Sequence, residues 1–168
     1  GGIRPQNNDI SHSVTWVNSE RLLFEYAEKQ FSYDRPVPTG ELFAMNVDGS
    51  KTEMLYGYRA GDAKLGSRLS SRDDVLASQE VLSLLENDER HILITEYPWD
   101  KQGDVYYDNR VKQPIISKLN ISTGRKRKVD VLPHNRSSAL ATKDGQVLFM
   151  RWQDESGTFH AAYRDSND

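Results

Sequence analysis

Residues 40–58 read Gly-Glu-Leu-Phe-Ala-Met-Asn-Val-Asp-Gly-Ser-Lys-Thr-Glu-Met-Leu-Tyr-Gly-Tyr, and this stretch decides the fold. Leu42, Phe43, Ala44 and Met45 form a short apolar strand. Asn46 to Ser50 then turns the chain, because Asp48-Gly49 supplies the positive φ that a tight hairpin needs. Beyond the turn, Lys51, Glu53 and Leu55 alternate with Thr52, Met54 and Tyr56, the two-residue period of a half-exposed strand. The stretch is therefore a β-hairpin.

Working outward, the same grammar recurs on both sides. Ser13 to Val17 reads as a strand, Asn18-Ser19-Glu20 as a turn, and Arg21 to Glu28 as a second strand. Leu22-Leu23-Phe24 would equally open a helix, but Phe24 and Tyr26 suit a pleated surface and the pattern repeats later. A loop from about Lys29 to Thr39, stiffened by Pro36 and Pro38, leads into the hairpin. Residues 57–79 break the pattern and read either as a long connection or as a short helix around Asp73 to Ala77. A connection of that length inside a compact domain is uncommon and often functional.

The pattern then restarts. Val81 to Leu85 and Arg90 to Tyr97 are strands around the turn Glu86 to Glu89, and a loop from Pro98 to Gln113 follows. Pro114 to Asn120 and Arg125 to Leu132 flank the turn Ile121 to Gly124. A third unit has strands at Ser138 to Thr142, Gln146 to Trp152 and Thr158 to Arg164. Glu20-Arg21 lines up with Glu89-Arg90, and Asn46 with Asn120. Repetition at this scale signals a repeat architecture. Four antiparallel strands per unit, repeated radially, limit exposed sheet edges in a β-propeller. The expected fold is all-β, a partial propeller with units at 13–58, 80–132 and 138–164, the last lacking its outermost strand. An ordinary antiparallel sandwich is the alternative.

The 168 residues suffice for one domain with a real core. A net charge of −3 and a pI near 5.8 offer no general attraction to nucleic acid or to an anionic membrane surface. The chain has no cysteine, which excludes disulfides, thiolate metal sites and cysteine nucleophiles. No apolar run approaches the roughly 20 residues of a membrane-spanning helix, and no secretory signal opens the chain, so the sequence does not choose a compartment.

A search for catalytic patterns is mostly negative. Gly66-Ser67-Arg68 lacks the spacing of a nucleophile elbow. His12, His91, His134 and His160 are scattered, with no pair at ligand spacing, and read as ordinary surface or strand positions. Asn46-Val47-Asp48-Gly49 lacks the later ligands of a calcium loop. Arg125-Lys126-Arg127-Lys128 falls on an outer strand, where charge guards against edge pairing. No cofactor site emerges. Under the repeat assignment, the loops between second and third strands share one rim. They would gather Tyr33 and Arg35 from the first unit with Trp99, Tyr106, Tyr107 and Arg110 from the second. Aromatics interleaved with charges suit docking of a peptide or of a partner domain; equally, such loops are polar because they are solvated.

Gly40 to Ser50 resembles the blade motif of TolB-like and prolyl oligopeptidase propellers, a strand before Asn-x-Asp-Gly. Ile116 to Arg125 is similar to its companion form, Leu-Asn-x-x-Thr-Gly. Trp16-Val17-Asn18 with Arg21-Leu22, and Asp144 to Val147 with Tyr163 to Asp165, resemble the N-terminal propeller of bacterial prolyl oligopeptidase-family serine hydrolases. The resemblance implies a non-catalytic segment of a longer protein, gating or orienting a peptide substrate for an α/β-hydrolase domain that this chain does not contain. The alternative it leaves is a TolB-like binding or scaffolding propeller with no enzyme attached. In either case the open sheet edges predict self-association.

Overall fold

The computed structural model describes residues 9–29, 34–58, 76–108 and 110–164. Among them the chain is all-β, with 13 strands in antiparallel sheets. It divides into two compact units, residues 1–78 with 122–124, and residues 79–121 with 125–168.

The first unit is a meander of β1 (Asp9–Trp16), β2 (Arg21–Glu28), β3 (Val37–Asn46) and β4 (Glu53–Tyr56), laid side by side in chain order. Its turns follow from side-chain chemistry. Asn18 Oδ1 accepts from the backbone N–H groups of Glu20 and Arg21, both at 2.9 Å, closing the first hairpin as an Asx turn. In the second, Asp48 Oδ1 accepts from the Ser50 N–H at 2.8 Å, and Gly49 takes the left-handed φ of 82°. Phe24 lies opposite Phe43, and the two rings stack at 5.3 Å with Tyr26 tilted against Phe43 at 4.9 Å, a cross-strand cluster of the kind that stabilises a pleated surface.

Two sequence expectations need correction here. The strand after Asp48-Gly49 starts at Glu53 rather than Lys51, because Lys51 itself turns to a φ of 48°. Nor is that strand half-exposed: Leu55 and Tyr56, on opposite faces, are both buried. Just beyond it, a Cβ at Gly57 would stand 2.7 Å from Glu41 Cγ, at a φ of 147°. Only glycine fits both the space and the conformation.

Arg21 locks this sheet from inside. Its guanidinium donates to Asn46 Oδ1 at 2.8 Å and to Glu53 Oε1 at 2.6 Å, linking β2, β3 and β4. The pair is almost wholly shielded, with side-chain exposures of 5% and 13%.

The second unit repeats the meander with β5 (Ala77–Leu84), β6 (His91–Pro98), β9 (Ile115–Asn120) and β10 (Lys126–Val131), in the order β10-β9-β6-β5. Backbone bonding places the repeat one residue from where the sequence puts it. Val47 N–H donates to Glu20 O at 3.0 Å, and Ile121 N–H to Arg90 O at 2.9 Å. Arg21 pairs with Asn46, and His91 with Asn120. The counterpart of Arg21 is thus His91, 70 residues on, and not Arg90. Its ring Nδ1 meets Asp88 Oδ1 at 2.9 Å, and Lys118 Nζ lies 2.6 Å from Asp88 Oδ2.

β6 is covered on both faces from Ile92 to Tyr97, which erases any alternation. Its buried Glu96 accepts from Ser117 Oγ and pairs with Lys126 Nζ. Of the rest of the basic run, Arg127 and Lys128 are exposed on the edge strand β10, and Arg125 is exposed just ahead of it. β5 opens at Ala77, earlier than Val81; residues 59–75 of the expected connection or helix lie outside the described residues. The expected loop 98–113 contains a further hairpin, β7 (Asp100–Gln102) with β8 (Val105–Tyr107). The signal was Gly103-Asp104, a two-residue turn whose Gly103 adopts a φ of 64°.

The unit is completed by β11 (Ser137–Ala141), β12 (Val147–Gln153) and β13 (Phe159–Tyr163), a three-stranded meander. Leu93, Ile116, Leu132 and Ala139 are its buried centre, with Leu82, Val147 and Met150 against them. Ser83 Oγ donates to Thr142 O at 3.0 Å, fastening β5 to the turn before β12.

Candidate functional site

Of the six expected rim residues, five lie among the described residues. Tyr33 lies outside the described residues, and Arg35 is exposed ahead of β3 in the first unit. Trp99, Tyr106, Tyr107 and Arg110 belong to the second. Tyr106 and Tyr107 sit on β8 with Lys101 Nζ 5.4 Å from the Tyr106 ring centre. Trp99 stands half-buried between β6 and β7, its carbonyl accepting from Lys112 Nζ at 2.6 Å. Among the described ones, Arg110 lines a concavity of this unit, its guanidinium 3.9 Å from the centre of the Tyr97 ring.

That concavity, a cleft of about 790 Å3, is lined by residues of β5, β6, β11, β12 and β13 together with Arg110 and Arg136. On the β5–β6 side, Tyr97 donates its hydroxyl to Glu80 Oε2 at 3.1 Å. Burial, and then the Glu80 carboxylate, push the Tyr97 phenol up to about 12; the charged form would be desolvated and would face a like charge. Glu80, Tyr97 and Arg110 therefore make one connected group in which the carboxylate and a guanidinium offset each other.

The opposite side has no such balance. Arg136 precedes β11 in the left-handed region, φ 49°, and Arg151 projects from β12 with Nε donating to Ser138 Oγ at 2.9 Å. Among the described residues neither guanidinium has a carboxylate partner. Beside them lie apolar groups open to solvent, Leu140 at 65% and Phe159 at 75% exposure, with Phe149 further in.

Trp152, also in the lining, is held in a three-ring stack. His134 lies against it at 4.3 Å and 7°, and His160 at 5.2 Å and 16°. Asp154 orients that second imidazole, with His160 Nε2 at 2.7 Å from Oδ2, while Oδ1 accepts from Ser156 Oγ at 2.6 Å. The Ser156 and His160 contacts hold the Asp154 carboxyl well below the usual carboxylate range. Both Ser156 and His160 point at the acid, so the imidazole does not take the serine proton, as a nucleophile's base must. The cleft itself offers guanidiniums that keep their charge and a phenol that keeps its proton. These donors are suited to holding an anionic group.

Apart from Arg110, the lining was not legible beforehand, because Glu80, Tyr97, Arg136, Arg151 and Trp152 are spread over some 70 residues of unremarkable strand sequence. Only strand pairing, such as Ser138 opposite Arg151, brings them together. No family model, no curated protein and no solved structure matches this chain.

Proposed function

We propose that the chain is a non-catalytic segment of a β-propeller, of the kind that precedes the hydrolase domain in prolyl oligopeptidase-family proteins, and that it holds or orients a peptide. The observation that carries the reading is the succession of antiparallel meanders in chain order. Two are four-stranded, and each pairs the start of its second strand with an asparagine at the end of its third, Arg21 with Asn46 and His91 with Asn120. A third meander follows with three strands. The peptide-holding part draws support from the cleft, whose apolar lining and fixed charges suit an extended ligand.

The test is the coding sequence beyond Asp168 together with an activity assay. A Gly-x-Ser-x-Gly ahead of a helical pattern supports the hydrolase reading. Further meander repeats followed by a stop codon overturn it in favour of a TolB-like scaffold. The 168-residue chain is expected to leave ester and peptide substrates intact, and turnover abolished by a serine-directed inhibitor would refute the non-catalytic assignment.

A further inference from the structure

We propose that the cleft of the second unit selects a peptide carrying acidic side chains, with Arg136 and Arg151 as the groups that read the carboxylate. The inference rests on the peptide-holding reading above and deepens it to a ligand class.

The argument is one of charge complementarity. In a chain of net charge −3, this cleft carries three guanidiniums against the single carboxylate of Glu80. Arg110 and Glu80 already share Tyr97, through the cation–ring contact at 3.9 Å and the hydrogen bond at 3.1 Å. Arg136 and Arg151 have no acid partner among the described residues. A guanidinium offers five donors in a planar fork that matches a carboxylate. Arg151 uses only Nε, toward Ser138, which leaves its terminal nitrogens for a ligand.

The neighbouring surface sets the rest of the ligand. Leu140, Phe149 and Phe159 supply an apolar floor beside the two arginines. A ligand that satisfies both alternates acidic with apolar side chains, as an extended peptide does along one face. The cleft volume, about 790 Å3, accommodates a few residues and not a folded domain. Trp152, in the same lining, provides an intrinsic reporter through its stack with His134 and His160.

The experiment uses the full chain and three blocked octapeptides: one alternating glutamate with leucine and phenylalanine, its glutamine counterpart, and a counterpart with phosphoserine for glutamate. Binding is followed by calorimetry and by tryptophan fluorescence, with Trp152→Phe identifying the reporter. The glutamate peptide is expected to bind roughly tenfold or more tightly than the glutamine peptide, the usual worth of a hydrogen bond to a charged group. Arg136→Gln and Arg151→Gln are each expected to remove that preference. Should Arg151→Gln fail to fold, because its Ser138 contact is lost, the Arg136→Gln arm decides, since that side chain makes no hydrogen bond among the described residues. Equal binding of the glutamate and glutamine peptides overturns acid selection but leaves peptide holding intact. A preference for the phosphoserine peptide overturns the carboxylate assignment. Failure of all three to bind sinks the inference and removes the cleft's support for peptide holding.

Discussion

Replacing Arg21 with methionine tests the internal lock of the first sheet. The substitution deletes a charge-assisted bond to Glu53 at 2.6 Å, worth about 1.5–3 kcal/mol, and a bond to Asn46 at 2.8 Å, worth about 1 kcal/mol. It also leaves Glu53, only 13% exposed, without its countercharge. The two bonds sum to about 2.5–4 kcal/mol, overlapping the range for breaking a buried ion pair by removing one member. For a chain of this size that corresponds to a melting temperature lower by roughly 10 °C. Urea unfolding followed by circular dichroism, with Glu53→Met and the double variant, completes a cycle. The double variant is expected to recover most of the loss, because two apolar side chains replace two desolvated charges. Single variants within about 1 kcal/mol of the parent would refute the argument, since they would show the pair to be solvated or replaceable by water.

Three further outcomes are expected. Gly57→Ala should destabilise by about 2 kcal/mol or more, because the added methyl meets Glu41 and the φ of 147° is strained for any side chain; an unchanged thermal melt would contradict the geometry. Asp88 is held below its ordinary value of 3.8, first by Lys118 and then by His91. A depressed carboxylate stabilises the fold above its unfolded value, and that contribution is lost as pH falls below about 4. Lys118→Met should therefore flatten the acid limb of stability against pH, and an unaltered limb would remove Lys118 as the cause. Tyr97 carries the opposite sign. Its raised value, about 12, favours the fold below pH ~10 and that favour fades as pH rises through the folded value. Tyrosinate absorbance should show a late-titrating phenol that is lost in Tyr97→Phe; an unchanged titration in that variant would remove Tyr97 as its source.

Most strands were legible because hairpin chemistry is local. Asp48-Gly49 and Asn18 each close a turn with their own neighbours, and the apolar runs beside them have the length of strands. What escaped notice depended on neighbours. The hairpin β7–β8 is three residues on each side, too short for a periodic signal, and the offset of the repeat slipped by one because Glu-Arg recurs at a position that strand pairing does not equate. On β6 the alternation vanishes because both faces are covered.

The sequence by itself determined an all-β chain of hairpins, since the turn residues and short apolar runs act within a few positions along the backbone. Only the tertiary structure decided which charges are locked and which are left open. Arg21 and Arg136 are the same residue type, yet one is buried between Asn46 and Glu53 and the other faces a cleft without a carboxylate partner among the described residues. Their difference comes from partners 25 or more residues away, which strand register brings within hydrogen-bonding distance in one case and not in the other.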